Sequence, residues 1–172
     1  LSVERLQARL ARFTGHDLDD DARVILEYEG GAEGIYWASK VAPGCENSLR
    51  LRVYGTEASL EWEQETPNRM ILRRTCGDAP QIITRGREDA SPQSRKAASL
   101  PPGHPEGYYE SFANLYREVF DYTVARITGE GDQRLTAYGF PNMYDGLRGV
   151  EFIHTCIESS EKDSAWIEWR YR

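Results

Sequence analysis

The side chains best placed to meet a ligand gather in PPGHPEGYYE, residues 101–110. His104 stands between prolines that restrict the backbone and glycines that let it approach a ligand closely. Such an imidazole can donate a hydrogen bond to a substrate hydroxyl; it can equally cap the following helix or pack its loop. Tyr108 and Tyr109 follow in the first turn of that helix, where a phenol can face a polyol or enter the core. Lys40 and Asn47 bracket a Pro-Gly turn in SKVAPGCEN. A cation and an amide at a strand end suit a polyhydroxyl or carboxylate ligand. A solvated lysine beside an asparagine that satisfies its own turn is the plainer alternative.

Other chemistries lack their signatures. There is no G-x-S-x-G, H-E-x-x-H or P-loop, and no strand leads into a G-x-G-x-x-G. No catalytic or metal-ligating residue is therefore assigned. Asp19, Asp20 and Asp21 would alternate across a strand without converging on a cation, and read as a solvated strand start. His16 and His154 read as surface histidines. Cys45, Cys76 and Cys156 form no C-x-x-C, and read as reduced, partly buried thiols of a cytoplasmic protein. A net charge of −7 with scattered arginines excludes a nucleic-acid partner. No apolar run approaches the ~20 residues that span a bilayer, so no membrane partner is expected.

The elements that must position these groups follow from periodicity. At 172 residues the chain fits one domain, 1–172. Val3, Leu6, Leu10 and Phe13 recur at helical spacing. After them ARVILEYE and AEGIYWASK alternate around Gly30-Gly31, which predicts a hairpin whose two-residue turn uses both glycines at positive φ. Leu49, Leu51 and Val53 turn at Gly55 and return as Ala58, Leu60 and Trp62, and 70–73 and 81–84 add shorter strands. Polar, proline-broken residues 85–100 read as a surface loop or short helix. A helix is predicted from Pro105 at N1, with Glu106 favoured there by the helix dipole, to Gly129. Its apolar stripe is Phe112, Leu115, Tyr116, Val119, Phe120, Val124 and Ile127. A second helix opens on Asn142 and Asp145, with Leu147, Val150, Ile153 and Ile157 as its apolar face. Ile167, Trp169 and Tyr171 alternate as a final strand. Such a sheet, of six to eight strands, buries the helical stripes on one face and leaves the other, with Trp37 and Trp62 on alternating sides, for a partner.

In order and spacing, SKVAPG, LRLRVYGTEASLEW, GHPEGYYESFANLY and DGLRGVEFI resemble the C-terminal domain of the Gfo/Idh/MocA oxidoreductases. The resemblance implies an α+β fold: a large, mostly antiparallel open sheet with helices on one face, like that of dihydrodipicolinate reductase. It also implies a strand, not a helix, over residues 1–13. Enzymes of this family carry a Rossmann domain first, with an E-K-P lysine, and then an Asp/His pair. Neither E-K-P nor D-x-x-x-H occurs here, so no catalytic residue is carried over. NAD or NADP would be bound by an N-terminal Rossmann domain missing from this chain, and not by this fragment. The implied partners are that domain, a small sugar or polyol substrate, and further copies in a homodimer or homotetramer. On this reading the substrate-binding candidates are His104, Lys40, Asn47, Tyr108 and Tyr109. A stand-alone, non-catalytic ligand-binding or interaction module is the alternative.

Overall fold

The computed structural model describes residues 2–170 apart from 78, 89 and 133. Along it run β1 (Val3–Ala11), β2 (Asp21–Tyr28), β3 (Glu33–Ser39), β4 (Arg50–Tyr54), β5 (Ala58–Glu63), β6 (Arg69–Arg74) and β7 (Gln81–Thr84). There follow α1 (Pro92–Ala97), α2 (Tyr108–Thr128), a 3-10 turn (Leu135–Ala137), α3 (Met143–Glu161) and β8 (Ile167–Glu168). This is the α+β fold with antiparallel open sheets. The strands form two four-stranded ladders, β3-β2-β1-β8 and β4-β5-β6-β7, rather than one run of six to eight. Between β3 and β4 the chain carries Pro43, Gly44 at φ 90° and Ser48 at φ 51°, a backbone that no ladder continues through. Two compact units result: Leu1–Gly44 with Pro141–Arg172, and Cys45–Phe140.

In the first unit, β1 is a strand despite its helical spacing. Leu6, Ala8 and Leu10 alternate onto one face opposite Leu26, Val24 and Ala22 of β2. Leu6, Ala8, Val24, Leu26 and Cys156 form the buried core, with Tyr28, Phe152 and Trp169 packed around it. Burying one such leucine contributes roughly 1.5–3 kcal/mol. The hairpin after β2 uses both glycines at positive φ, Gly30 at 89° and Gly31 at 83°. Its loop has three residues rather than two, because Tyr28 N–H bonds the carbonyl of Ala32 (2.9 Å).

Helix α3 starts on the expected reciprocal cap, Asn142 with Asp145. It packs through a different face from the one its apolar spacing predicts. Leu147 (41%), Val150 (52%) and Ile153 (57%) are exposed, whereas Thr155, Cys156 and Ser159 are buried. Hydrogen bonding decides this. β8 pairs with β1 only at Arg5 and Leu6, which leaves later N–H groups on that edge without a strand partner. Ser159 Oγ accepts from Ala8 N–H (2.8 Å) and donates to Ala165 O (2.6 Å). Ser160 Oγ accepts from Leu10 N–H (3.0 Å). Two serine hydroxyls thus complete the ladder where the strand stops. Of the expected final strand, Trp169 still bonds Glu4 O (2.8 Å), and Tyr171 lies outside the described residues.

Of the three carboxylates at the start of β2, Asp19 is exposed as expected, but the other two are not solvated. Asp20 and Asp21 are both buried. Asp20 accepts from the Thr14 hydroxyl and from the N–H groups of Phe13 and Thr14, which closes the β1–β2 loop. Those bonds, the hydroxyl's first, hold its carboxyl below the usual range. Asp21 is also held low, chiefly by the Trp37 indole N–H at 2.9 Å. The outer face of this sheet aligns Ile25 with Ile35 and Arg23 with Trp37. All three apolar side chains there are exposed, Ile35 at 87%.

In the second unit, the register puts Leu51, Val53, Leu60, Trp62, Met70, Leu72 and Ile83 on one face of the sheet. The opposite face carries a cross-strand lattice of Arg50 with Glu63 and of Glu61 between Arg52 and Arg73. Helix α2 begins at Tyr108, with Gly107 as its N-cap, so Pro105 is three residues before the helix rather than at N1. The helix ends at Gly129 in the left-handed conformation, as its sequence predicts. Its apolar stripe stays open, from Leu115 at 37% to Ile127 at 79%, and only Ala125 is buried.

Candidate functional site

The loop that carries His104 is tied down from the sheet beneath it. Asn68 and Arg85 flank the paired ends of β6 and β7, joined by Arg85 N–H to Asn68 O at 2.9 Å. Arg85 Nε donates to Asn68 Oδ1 (2.9 Å) and Nη1 to Leu100 O (3.0 Å), while Nη2 donates to His104 O. Its Nη1 also meets Glu106 Oε2 at 2.5 Å, in an ion pair whose side chains are 15% and 4% exposed. The other carboxylate oxygen of Glu106 accepts from Ser99 N–H (2.7 Å) and Leu100 N–H (2.6 Å). Asn68 accepts from Glu106 N–H (3.0 Å) and donates to Glu106 O (2.8 Å). Glu106 is therefore not a helix-dipole residue. It is the buried anchor of a clamp, and its charge is matched by a guanidinium and two amides, as a buried carboxylate requires.

Reading the sequence residue by residue missed Asn68, Arg85 and Glu106 as a set, because 38 residues separate Asn68 from Glu106. The one local signal was a carboxylate inside a proline-glycine loop. Such a loop has main-chain groups to satisfy, and an acid there has a use other than the helix dipole.

Above the clamp, His104 is exposed, and its ring makes no hydrogen bond among the described residues. Its own N–H bonds Pro101 O (3.2 Å), and the N-cap position is satisfied by Glu110 Oε2 from Gly107 N–H (2.8 Å). That bond holds the Glu110 carboxyl below its ordinary value. Helix capping thus falls to Glu110. Tyr108 and Tyr109 are exposed at 69% and 84%, their rings edge-on at 6.0 Å, with Phe112 4.8 Å from Tyr108. The structure so brings His104, Tyr108 and Tyr109 to one end of α2. Beside the clamp is a cleft of about 330 Å³, floored by Trp62, Met70 and Ile83 and walled by α1 and the first turns of α2.

Asn47 also belongs to this unit, but its Nδ2 bonds Gln64 Oε1 (2.6 Å) rather than its own turn. Lys40 lies at the end of β3 in the other unit, its side chain exposed and its N–H on Asp20 O (2.8 Å). Among the described residues no cluster of three or more His, Cys, Asp or Glu could hold a metal ion. Among the described residues no helix is long and apolar enough to cross a membrane. The three cysteines are free, Cys45 and Cys76 exposed and Cys156 buried.

Among the described residues the strand pairings are antiparallel, and the N-termini of both long helices hold their own carboxylates, Glu110 and Asp145. What the fold defines is an α+β domain with antiparallel sheets and helices.

The chain belongs to the C-terminal domain family of the Gfo/Idh/MocA oxidoreductases, matching "Oxidoreductase family, C-terminal alpha/beta domain" over residues 2–169. It is similar to "Uncharacterized oxidoreductase YfiI" of Bacillus subtilis, 30% identical over 153 residues, or 89% of this chain and 38% of that protein. Among solved structures it is similar to an oxidoreductase from Sinorhizobium meliloti, 40% identical with a TM-score of 0.87. That match covers 97% of this chain and 46% of the other. An inositol dehydrogenase homolog from Azotobacter vinelandii, complexed with NADH and myo-inositol, is 31% identical with a TM-score of 0.91. It is covered over 44% of its length by 98% of this chain. The chain thus spans less than half the length of each of these relatives.

Proposed function

We propose that residues 1–172 work as the substrate-binding and oligomerisation domain of an NAD(P)-dependent sugar or polyol dehydrogenase. The observation that carries this reading is the clamped loop. It presents His104, with a free imidazole, beside the exposed phenols of Tyr108 and Tyr109. Hydroxyl-rich ligands are recognised by a few fixed donors and acceptors next to aromatic surface. The Azotobacter relative, solved with NADH and myo-inositol, supports the substrate class. Lys40 and Asn47 are weaker candidates for contact with a polyhydroxyl ligand. NAD or NADP is held by another domain of the intact enzyme, and this chain alone binds neither. The setting proposed is the cytoplasm, where the exposed thiols of Cys45 and Cys76 stay reduced.

Exposed Ile25, Ile35 and Trp37, together with the open stripes of α2 and α3, support a role in assembly. Large exposed apolar side chains grouped on one face of a soluble domain mark interaction surfaces. The sheet face of Ile25, Ile35 and Trp37 is proposed to pair copies as a homodimer or within a homotetramer.

The test is His104→Ala in the intact enzyme. Losing one hydrogen bond to a substrate hydroxyl costs about 1–3 kcal/mol of transition-state binding, about 5- to 150-fold in kcat/KM for the polyol. The KM for the nucleotide and the melting temperature stay unchanged, because the ring is exposed and unbonded. Unaltered kinetics with a lowered melting temperature would instead make His104 a packing residue.

A further inference from the structure

We infer that Arg85 is a positioning residue for His104, an inference that rests on the proposed contact between His104 and substrate. The ties of the loop are unusually concentrated. Arg85, Asn68 and Glu106 together satisfy six main-chain groups of residues 99–106: two at Leu100, two at Glu106, and one each at Ser99 and His104. Only one of these bonds touches the peptide that carries the imidazole, and it comes from Arg85 Nη2 to His104 O.

All three nitrogens of the guanidinium are engaged. Nε is held by Asn68, Nη1 by Leu100 O and the Glu106 carboxylate, and Nη2 by the His104 carbonyl. A planar fork of fixed geometry sets the distance between those partners, so the two carbonyls and the carboxylate are registered against one rigid group. The segment being held is exposed from residue 101 to residue 105 and adds nothing to a core. A buried ion pair is a weak device for stability. Using one to fix an exposed loop makes sense if what matters is where the loop's free side chain stands. Lysine at position 85 would keep the charge opposite Glu106, yet its single ammonium cannot hold both carbonyls and Asn68 in the same register.

The experiment is a double-mutant cycle in the intact enzyme, assayed well below the melting temperature of every variant. It uses a polyol the wild type oxidises, with Arg85→Lys, His104→Ala and the double variant. The expected result is a fall of about tenfold in polyol kcat/KM for Arg85→Lys, with the nucleotide KM unchanged. In the His104→Ala background the same substitution changes kcat/KM by less than about twofold, since no imidazole remains to be placed. An equal loss in both backgrounds, or no loss in either, overturns the inference and leaves the role of His104 standing. If His104→Ala alone has wild-type kinetics, the proposed function falls first, and the inference with it. Should Arg85→Lys fail to fold, Asn68→Ala enters the same cycle. It frees Arg85 Nε and releases the two Asn68 bonds to Glu106 while sparing the ion pair, and the same outcomes then decide for the clamp of which Arg85 is part.

Discussion

Replacing Ser159 by alanine tests whether a side chain really completes the β1 ladder. Ser159 is 0% exposed and Ala8 is 1% exposed, so water does not reach the Ala8 N–H left behind, whereas Ala165 is half-buried. The substitution removes the acceptor of Ala8 N–H at 2.8 Å and the donor to Ala165 O at 2.6 Å. A buried donor left unsatisfied costs about 1–3 kcal/mol, and the half-buried Ala165 carbonyl, which water can reach, adds little to that. Ser160 makes the equivalent bond to Leu10 N–H, but both residues are only half-buried. Water can replace that hydroxyl, and Ser160→Ala should cost about 0.5–1.5 kcal/mol, the net worth of an ordinary hydrogen bond. Urea unfolding followed by far-UV circular dichroism measures both, with the slope m unchanged if only the native state is affected. A Ser159→Ala variant within about 0.5 kcal/mol of wild type, or no worse than Ser160→Ala, would refute the reasoning.

Three more outcomes are expected. Burial, with a smaller contribution from Asp19, pushes the Cys156 thiol up to about 11, so at pH 8 about one molecule in a thousand carries the thiolate; Ellman's reagent should titrate Cys45 and Cys76 quickly and Cys156 only in denaturant. Asp20, whose folded pKa is depressed, contributes stability that is present above its unfolded value of about 4 and is lost as pH falls through the folded one. The gap in urea midpoint between wild type and Asp20→Asn should therefore be widest near neutrality and shrink from pH 5 downward, and a constant gap would contradict it. Ile35→Glu, at a side chain 87% exposed, should leave the melting temperature in place and shift sedimentation toward monomer; an unchanged oligomer would move the interface elsewhere.

Much of the fold could be read from side-chain alternation, because a strand with one buried face has to alternate. That holds for β2, β3, β4 and β5, and the N-cap of α3 and the end of α2 follow from residue types with one stereochemical use. What could not be read shares a cause. Leu6, Ala8 and Leu10 make a strand stripe only if alanine counts as apolar filling, and spacing of the larger residues alone points to a helix. The packed face of α3 is built of Thr155, Cys156 and Ser159, small and partly polar side chains chosen for close approach and for hydrogen bonds to a strand edge. Hydrophobicity selects the opposite face. The burial of Asp20 and Asp21 depends on loop N–H groups and on Trp37, which no local pattern announces. Of the candidate site, the presenting residues were visible in PPGHPEGYY, while its support, Arg85 with Asn68, lies in other strands' ends and only the folded chain assembles it.

The arrangement of the first unit also sets an order of events during synthesis. Its sheet is shared between residues 1–44 and 141–172, with Cys45–Phe140 forming the other unit entirely from contiguous chain. Loop closure across about a hundred intervening residues is slow, and contacts of such sequence separation form late. A nascent chain can therefore fold its middle before its beginning. Until Ser159, Ser160 and β8 emerge, the outer edge of β1 carries bare N–H groups, the template on which a foreign strand adds. Residues 141–170 act as a closing seam, and a chain that stalls before residue 141 would expose the open edge to chaperones and proteases while the unit of residues 45–140 is already made.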